Sequence, residues 1–133
     1  MMRIDVIPLV EANGVKFGMK RSEVRAILGE SKEFKKSPLS TTLTDDFGYC
    51  HVFYDDNDEC EAIEIFDEAE VYIDDKLIFP MKKREALKLL KKIFKDFKKD
   101  ADGLVSYKYS IGIYAPEKEM ESILIGRENY YED

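Results

Sequence analysis

Few residues in this chain have the types and spacing that chemistry needs. Its one histidine, His51, directly follows Cys50. Neighbours on a strand point to opposite faces, so the two cannot serve as a nucleophile and its base. The run Asp55, Asp56, Asn57, Asp58, Glu59 gathers the oxygen ligands a hard cation prefers. It lacks the glycine at position six and the glutamate at position twelve of a calcium loop, and it reads as a solvated hairpin tip. Cys50 and Cys60 do not form C-x-x-C and have no second pair, so they read as small apolar residues on a sheet. There is no glycine-rich phosphate loop, no H-E-x-x-H and no G-x-S-x-G. No catalytic residue, metal ligand or cofactor is therefore assigned. Carboxylates are abundant, so a small enzyme using a carboxylate site stays open as an alternative.

The charge is more informative than the motifs. The chain has 133 residues and a net charge of −7, which makes nucleic acid a poor partner for the molecule as a whole. From Ser37 to Asp75 there is no lysine or arginine, while residues 81–99 carry nine basic side chains. The basic stretch has an apolar stripe at helical spacing, so it reads as a core helix with a solvated outer face rather than a membrane-binding one. No apolar run is long enough to span a bilayer, and Asp5 and Glu11 interrupt the N-terminal segment. The expectation is a cytoplasmic protein without membrane contact.

The elements that would position these residues come in two copies. FGMKRSEVRAIL (17–28) aligns with FPMKKREALKLL (79–90), and YCHVFYDDNDECEAIEIF (49–66) aligns without a gap to YSIGIYAPEKEMESILIG (109–126). Two matches in the same order, at offsets of 62 and 60, point to an internal repeat. Each copy reads as a turn, a helix and a hairpin. Asn13-Gly14 is a strong hairpin turn signal. The first helix spans about Arg21 to Leu28 and stops at Gly29. The second runs to about Lys99, with Ala86, Leu87, Leu90, Ile93, Phe94 and Phe97 on one stripe, and Asp102-Gly103 ends it. Residues 31–42 read as a long loop. Parity places His51, Phe53, Ile63 and Ile65 on one sheet face, and Ile111, Ile113, Ile123 and Ile125 on the same face in copy two. By this alignment His51 is a half-buried structural residue. The fold expected is α+β in one domain, 1–133. Repeats at about 10–66 and 72–126, each a helix plus an antiparallel hairpin, form one antiparallel sheet with the helices packed on one face.

GVKFGMKRSEVRAILGE (14–30) resembles the start of the repeat in the β-lactamase inhibitory protein family, and the outer-membrane assembly lipoproteins of the SmpA/OmlA family. Gly18-Met19, Glu23-Val24 and Leu28-Gly29 carry the likeness; the second copy has Pro80 in place of the glycine. The resemblance implies a sheet whose open face grips another protein. Size, acidity and class also resemble the immunity proteins that neutralise bacterial toxins.

The function expected is a non-enzymatic protein-binding or inhibitor protein. Its partner would be a protein, such as a basic toxin domain of the nuclease type, attracted by the acidic half. The alternative outside catalysis is a structural module that dimerises, so the chain is a monomer or a homodimer. The binding residues expected are Tyr54, Asp55, Asp56, Asp58, Glu59 and Tyr114. The hairpin of copy one concentrates acids where copy two has Ala115, Pro116, Glu117, Lys118 and Glu119, and tyrosines suit interface hot spots.

Overall fold

A computed structural model describes residues 2–66 and 68–131. In chain order the elements are β1 (Met2–Ile7), β2 (Glu11–Ala12), β3 (Val15–Lys16), α1 (Arg21–Leu28), β4 (Lys32–Phe34), β5 (Thr44–Asp46), β6 (Cys50–Tyr54), β7 (Cys60–Phe66), β8 (Ala69–Ile73), β9 (Lys76–Phe79), α2 (Lys83–Ile93), β10 (Lys98–Asp100), β11 (Gly103–Ser106), β12 (Ile111–Tyr114) and β13 (Ser122–Gly126). The chain is mostly β, with 44% of residues in strands and 15% in helix. This corrects the expected α+β fold with one helix-covered sheet. Among the described residues there are two sheets, one of eight strands and one of five.

The eight-stranded sheet is antiparallel throughout, in the order β10-β11-β12-β13-β7-β6-β5-β4. Its middle is the pairing of β13 with β7, where Ile123 faces Ile65, Ile125 faces Ile63 and Leu124 faces Glu64. Ile63 and Ile65 are the counterparts of Ile123 and Ile125 at the offset of 60, so the register is symmetric about Glu64 and Leu124. On either side of this seam the same elements recur in the same order. The ties between helix and hairpin recur as well. Lys20 bridges Glu59 as Lys82 bridges Glu119. The Arg21 N–H donates to the Asp58 carbonyl as the Lys83 N–H donates to the Lys118 carbonyl. A hairpin carbonyl thus satisfies a first-turn donor of each helix, and lysine can occupy the position where a capping Ser or Asp is usual.

The five-stranded sheet, β3-β2-β1-β8-β9, was not expected. Two short hairpins turn at Asn13-Gly14 and Asp74-Asp75, and all four turn residues have positive φ, as a type I′ turn requires. Between the hairpins lies β1, parallel to β8 and antiparallel to β2. The alternation in β1 buries Ile4 and Val6 and exposes Arg3 and Asp5. The small sheet and both helices together cover one face of the large sheet. Ile4, Val15, Val71 and Ile78 from the small sheet join Val24, Leu90, Val52, Ile63, Ile111 and Ile123 in one apolar cluster.

Two segments depart from the expected elements. The second helix ends at Ile93, because the Asp96 carboxylate accepts hydrogen bonds from the Ser106 hydroxyl (2.7 Å) and the Lys108 N–H (3.0 Å) and so draws the chain out of helical geometry. Phe94 and Phe97 still reach the core, through a turn. Residues 98–100 then form a strand, and 101–102 are the turn into β11. The segment read as a long loop contains β4.

The face assignment of β6 is also corrected. Tyr54 pairs with Cys60, but Phe53 pairs with Ala62 and Val52 with Ile63, so Glu61 is an extra residue at a β-bulge. The bulge moves the rest of β6 by one position relative to the ungapped alignment. A shift of one exchanges the faces of a strand. Cys50, Val52 and Tyr54 therefore point into the core, while His51 and Phe53 share the outer face with Ala62 and Glu64. The hairpin of β12 and β13 has no such bulge, and Ile111, Ile113, Ile123 and Ile125 face the core.

The core placement gives a direct test. Leu90 is fully buried and Lys91 is exposed. Leu90→Ala is expected to cost about 2–5 kcal/mol through lost transfer energy and the cavity left behind. Lys91→Ala is expected to stay within about 0.5 kcal/mol. Denaturant melts of the two variants check this, and equal losses would put the helix in the wrong rotational phase.

Candidate functional site

The structure distributes the six sequence-identified residues differently from the expectation. Tyr54 is only 2% exposed and offers no contact surface. Its presumed counterpart Tyr114 is 47% exposed. The bulge is the reason: Tyr114 pairs with Ser122 on the outer face, the place Phe53 holds opposite Ala62 in copy one. Tyr54 instead corresponds to the buried Ala115. The acids of the hairpin are spoken for as well. Asp55 accepts the Asn57 and Glu59 N–H groups (2.8 and 3.0 Å) and receives Arg127 at 2.8 Å. Burial raises the Asp55 carboxyl, but these donors outweigh it and hold the group below the usual carboxylate range. Asp58 is paired with Arg21 at 2.9 Å and Glu59 with Lys20 at 3.3 Å. Asp56 accepts the Thr41 hydroxyl and has no cation among the described residues. The acidic run fastens the hairpin tip to α1 and to Arg127.

Asp45, which sequence reasoning missed, is the electrostatic centre of copy one. It lies on β5 with its side chain completely buried. Arg25 reaches both its oxygens (3.0 and 2.6 Å), Arg21 donates at 3.1 Å, and the Tyr54 hydroxyl donates at 2.8 Å. Arg21 and Arg25 sit four apart on α1 and so share one helix face. The Arg21 guanidinium lies over the Tyr54 ring at 4.0 Å and also donates to the Leu43 carbonyl. Burial raises the Asp45 carboxyl, but Arg25, Tyr54 and Arg21 together hold it below its ordinary value. Burial and the Asp45 carboxylate raise the Tyr54 phenol, which keeps the proton that Asp45 accepts. At the matching places in copy two stand Leu87, Leu104 and Ala115, so an apolar set replaces Arg25, Asp45 and Tyr54, while Lys83 keeps a cation at the place of Arg21. The mismatch of Arg25 with Leu87 in the aligned helices was the available signal, since an arginine where the other copy packs a leucine calls for a buried acid.

The outer face of the eight-stranded sheet, turned away from the core, is the other concentration of side chains. One face of such a sheet is ordinarily polar. Here His51 sits edge-on between the rings of Phe34 and Phe66, with centroids 4.9 and 4.7 Å away, and its Nε2 lies 3.6 Å from Asp46. His51 thus leaves the core position that its alignment with Ile111 implied. At the seam Glu64 accepts the Ser122 hydroxyl at 2.8 Å, with Leu124 beside it. Beyond the seam, Gly112 and Gly126 occupy the places held by His51 and Phe66 in copy one. Tyr131 lies against Gly112 and Tyr130 against Gly126, where a Cβ on either glycine would clash. Rings from the following segment thus replace rings from the strands. Lys36 reaches across to the Tyr130 hydroxyl (3.3 Å) and over the Phe53 ring.

No protein-family model, curated protein or solved structure matches the chain. The likeness to the inhibitory-protein family rests on the short motif and the tandem layout of the sequence.

Among the described residues no group of three His, Cys, Asp or Glu side chains is arranged to hold a metal ion, and no helix is long and apolar enough to cross a membrane. Cys50 and Cys60 are buried free thiols, and burial pushes both up to about 12. The thiolate, the reactive form, is suppressed at both.

The Asp45 cluster sets an acid dependence. Its folded value lies below the unfolded value of about 3.9, so its stabilisation is complete above that pH and is lost as pH falls through the folded value. Asp45→Asn leaves two arginines facing a neutral group and is expected to cost about 3–5 kcal/mol at pH 7. The variant is also expected to lose less further stability between pH 5 and pH 3 than the parent does. Urea melts across that range check both; equal stability at pH 7 would remove Asp45 as the centre of the cluster.

Proposed function

We propose that this chain is a non-enzymatic protein-binding protein of the inhibitor or immunity type, and that it engages its partner through the outer face of the eight-stranded sheet. The supporting observation is the composition of that face. Phe34, His51, Phe66, Leu124 and Tyr114 are half-buried or exposed there, where a solvated sheet face would carry polar residues. Apolar surface rimmed by charge is the usual character of a protein interface, and aromatic side chains dominate its energetics.

Glu64 gives the face its preference. It lies at the centre of the seam, half-buried among apolar neighbours, with Ser122 as its neutral hydrogen-bond partner. A lysine or arginine from the partner would complete it. The net charge of −7 draws basic proteins towards the molecule. A basic toxin domain, such as a nuclease whose active site attracts phosphate, fits both features. Of the six sequence-identified residues, Tyr114 belongs to this face, and Asp56 is the acid left without a cation at the hairpin tip.

Affinity capture from the native cell, followed by measured association of the captured protein, tests the reading. Tyr114→Ala is expected to speed dissociation, and Glu64→Gln to weaken binding about tenfold or more, with melting behaviour unchanged. Asp56→Asn is expected to slow association modestly, and mainly at low salt. Binding that is indifferent to both Tyr114→Ala and Glu64→Gln would place the interface elsewhere.

A further inference from the structure

A second charged feature lies on the far side of the core from that face. Lys82, Lys83, Arg84, Lys99 and Lys118 line an open cleft of about 560 Å³ between the start of α2, β10 and the tip of the β12–β13 hairpin. Leu87 forms an apolar wall and Glu117 is the one acid in the lining. None of the five cations makes an ion pair or a side-chain hydrogen bond with any described residue. The Lys83 N–H is already engaged by the Lys118 carbonyl, so the charge of the cleft comes from side chains.

Copy one shows what the fold does with this place when it needs nothing from outside. Lys20 and Arg21 stand where Lys82 and Lys83 stand, as the two bridges and the two matching backbone bonds establish. There the cations are met by carboxylates: Arg21 by Asp58 and Asp45, Arg25 by Asp45 and Glu33, and Lys20 by Glu59. In copy two Lys118 replaces Asp58. Lys99, paired with Leu104, replaces Glu33, which is paired with Asp45. Two of the four acids are thus exchanged for cations around a hollow, Asp45 gives way to Leu104, and Glu119, the counterpart of Glu59, makes no ion pair with Lys82. Gathering five like charges raises the self-repulsion of the folded state, and copy one demonstrates that the backbone does not require it.

We infer that this cleft is a binding site for an oligophosphate group, which takes the place that carboxylates of the chain itself hold in copy one. The volume falls in the range of about 300–1,000 Å³ typical of small-molecule sites. Lysine ammonium groups bind phosphate as point charges, and the Arg84 guanidinium adds a fork matched to phosphate oxygens. Five cations against one acid suit a group carrying several negative charges. The phosphate chain can be free or can belong to a nucleotide, and the chemistry recognised is the same.

The test is titration of the full chain with sodium tripolyphosphate, followed by calorimetry and amide NMR shifts, beside arms with a nucleoside triphosphate, citrate and a short DNA duplex. Saturable one-site binding is expected, with shifts confined to residues near 82–87, 99 and 117–118. Tighter binding of the nucleoside triphosphate than of tripolyphosphate identifies a nucleotide source, and equal binding identifies the free chain. Lys99→Glu with Lys118→Asp installs the acids of copy one and is expected to weaken binding at least tenfold. Lys91→Glu with Lys92→Glu changes the net charge equally, elsewhere on α2, and is expected to retain binding within about twofold. The inference is overturned if both double variants lose binding alike, if shifts in the parent protein spread along all of α2, if citrate binds as well as tripolyphosphate, or if only the duplex binds. The shift map of the parent protein decides the matter even if a variant does not fold.

Discussion

The register between β7 and β13 is the constraint from which the rest of the structure follows. Ile63 and Ile65 face Ile125 and Ile123, and a slip by one would turn the isoleucine pair of one strand to solvent. With that pairing set, each following strand is placed by its hairpin, outward to β10 on one side and β4 on the other. The helices are placed next, because a hairpin carbonyl takes a first-turn N–H of each. The small sheet then closes the remaining core, with β1 joining two hairpins too short to bury a face alone.

The two halves stabilise the same backbone by different means. Copy one ties α1 to its sheet through a buried carboxylate satisfied by four donors. Copy two fills the corresponding places with Leu87, Leu104 and Ala115. A fully satisfied buried ion cluster and an apolar cluster can be of comparable stability, whereas an incomplete ion cluster is far worse than either. That is why the substitutions come as a set, with Arg25, Asp45 and Tyr54 all changed together in the other copy.

What the sequence makes legible is local. The span Arg21–Leu28 and its stop at Gly29 follow from helical periodicity and a C-terminal glycine. The Asn13-Gly14 turn and the inward face of Ile111, Ile113, Ile123 and Ile125 follow from turn chemistry and parity. What was misread depends on partners distant in the chain. The extra residue at Glu61 carries no glycine to announce a bulge, yet it reassigns all of β6. The hairpin acids look unpaired because their cations, Arg21 and Arg127, lie 37 and 72 residues away. The end of α2 is set by donors at Ser106 and Lys108, ten and twelve residues beyond Asp96. β1 is a single alternating strand that has a place only once two other hairpins are present.

The divergence between the Asp45 cluster and the cationic cleft bears on symmetry. A seam that pairs a segment with its own counterpart is the geometry of a two-fold homodimer. In a homodimer each position is encoded once and used twice, so a residue that opens a pocket in one subunit opens it in both. Here each position is encoded separately. One half can keep its cations neutralised and hold the assembly rigid, while the other carries exposed charge that would strain a symmetric pair twice over. Joining the halves in one chain thus lets a neutralised cluster and an open cationic cleft be assigned to different copies of one motif.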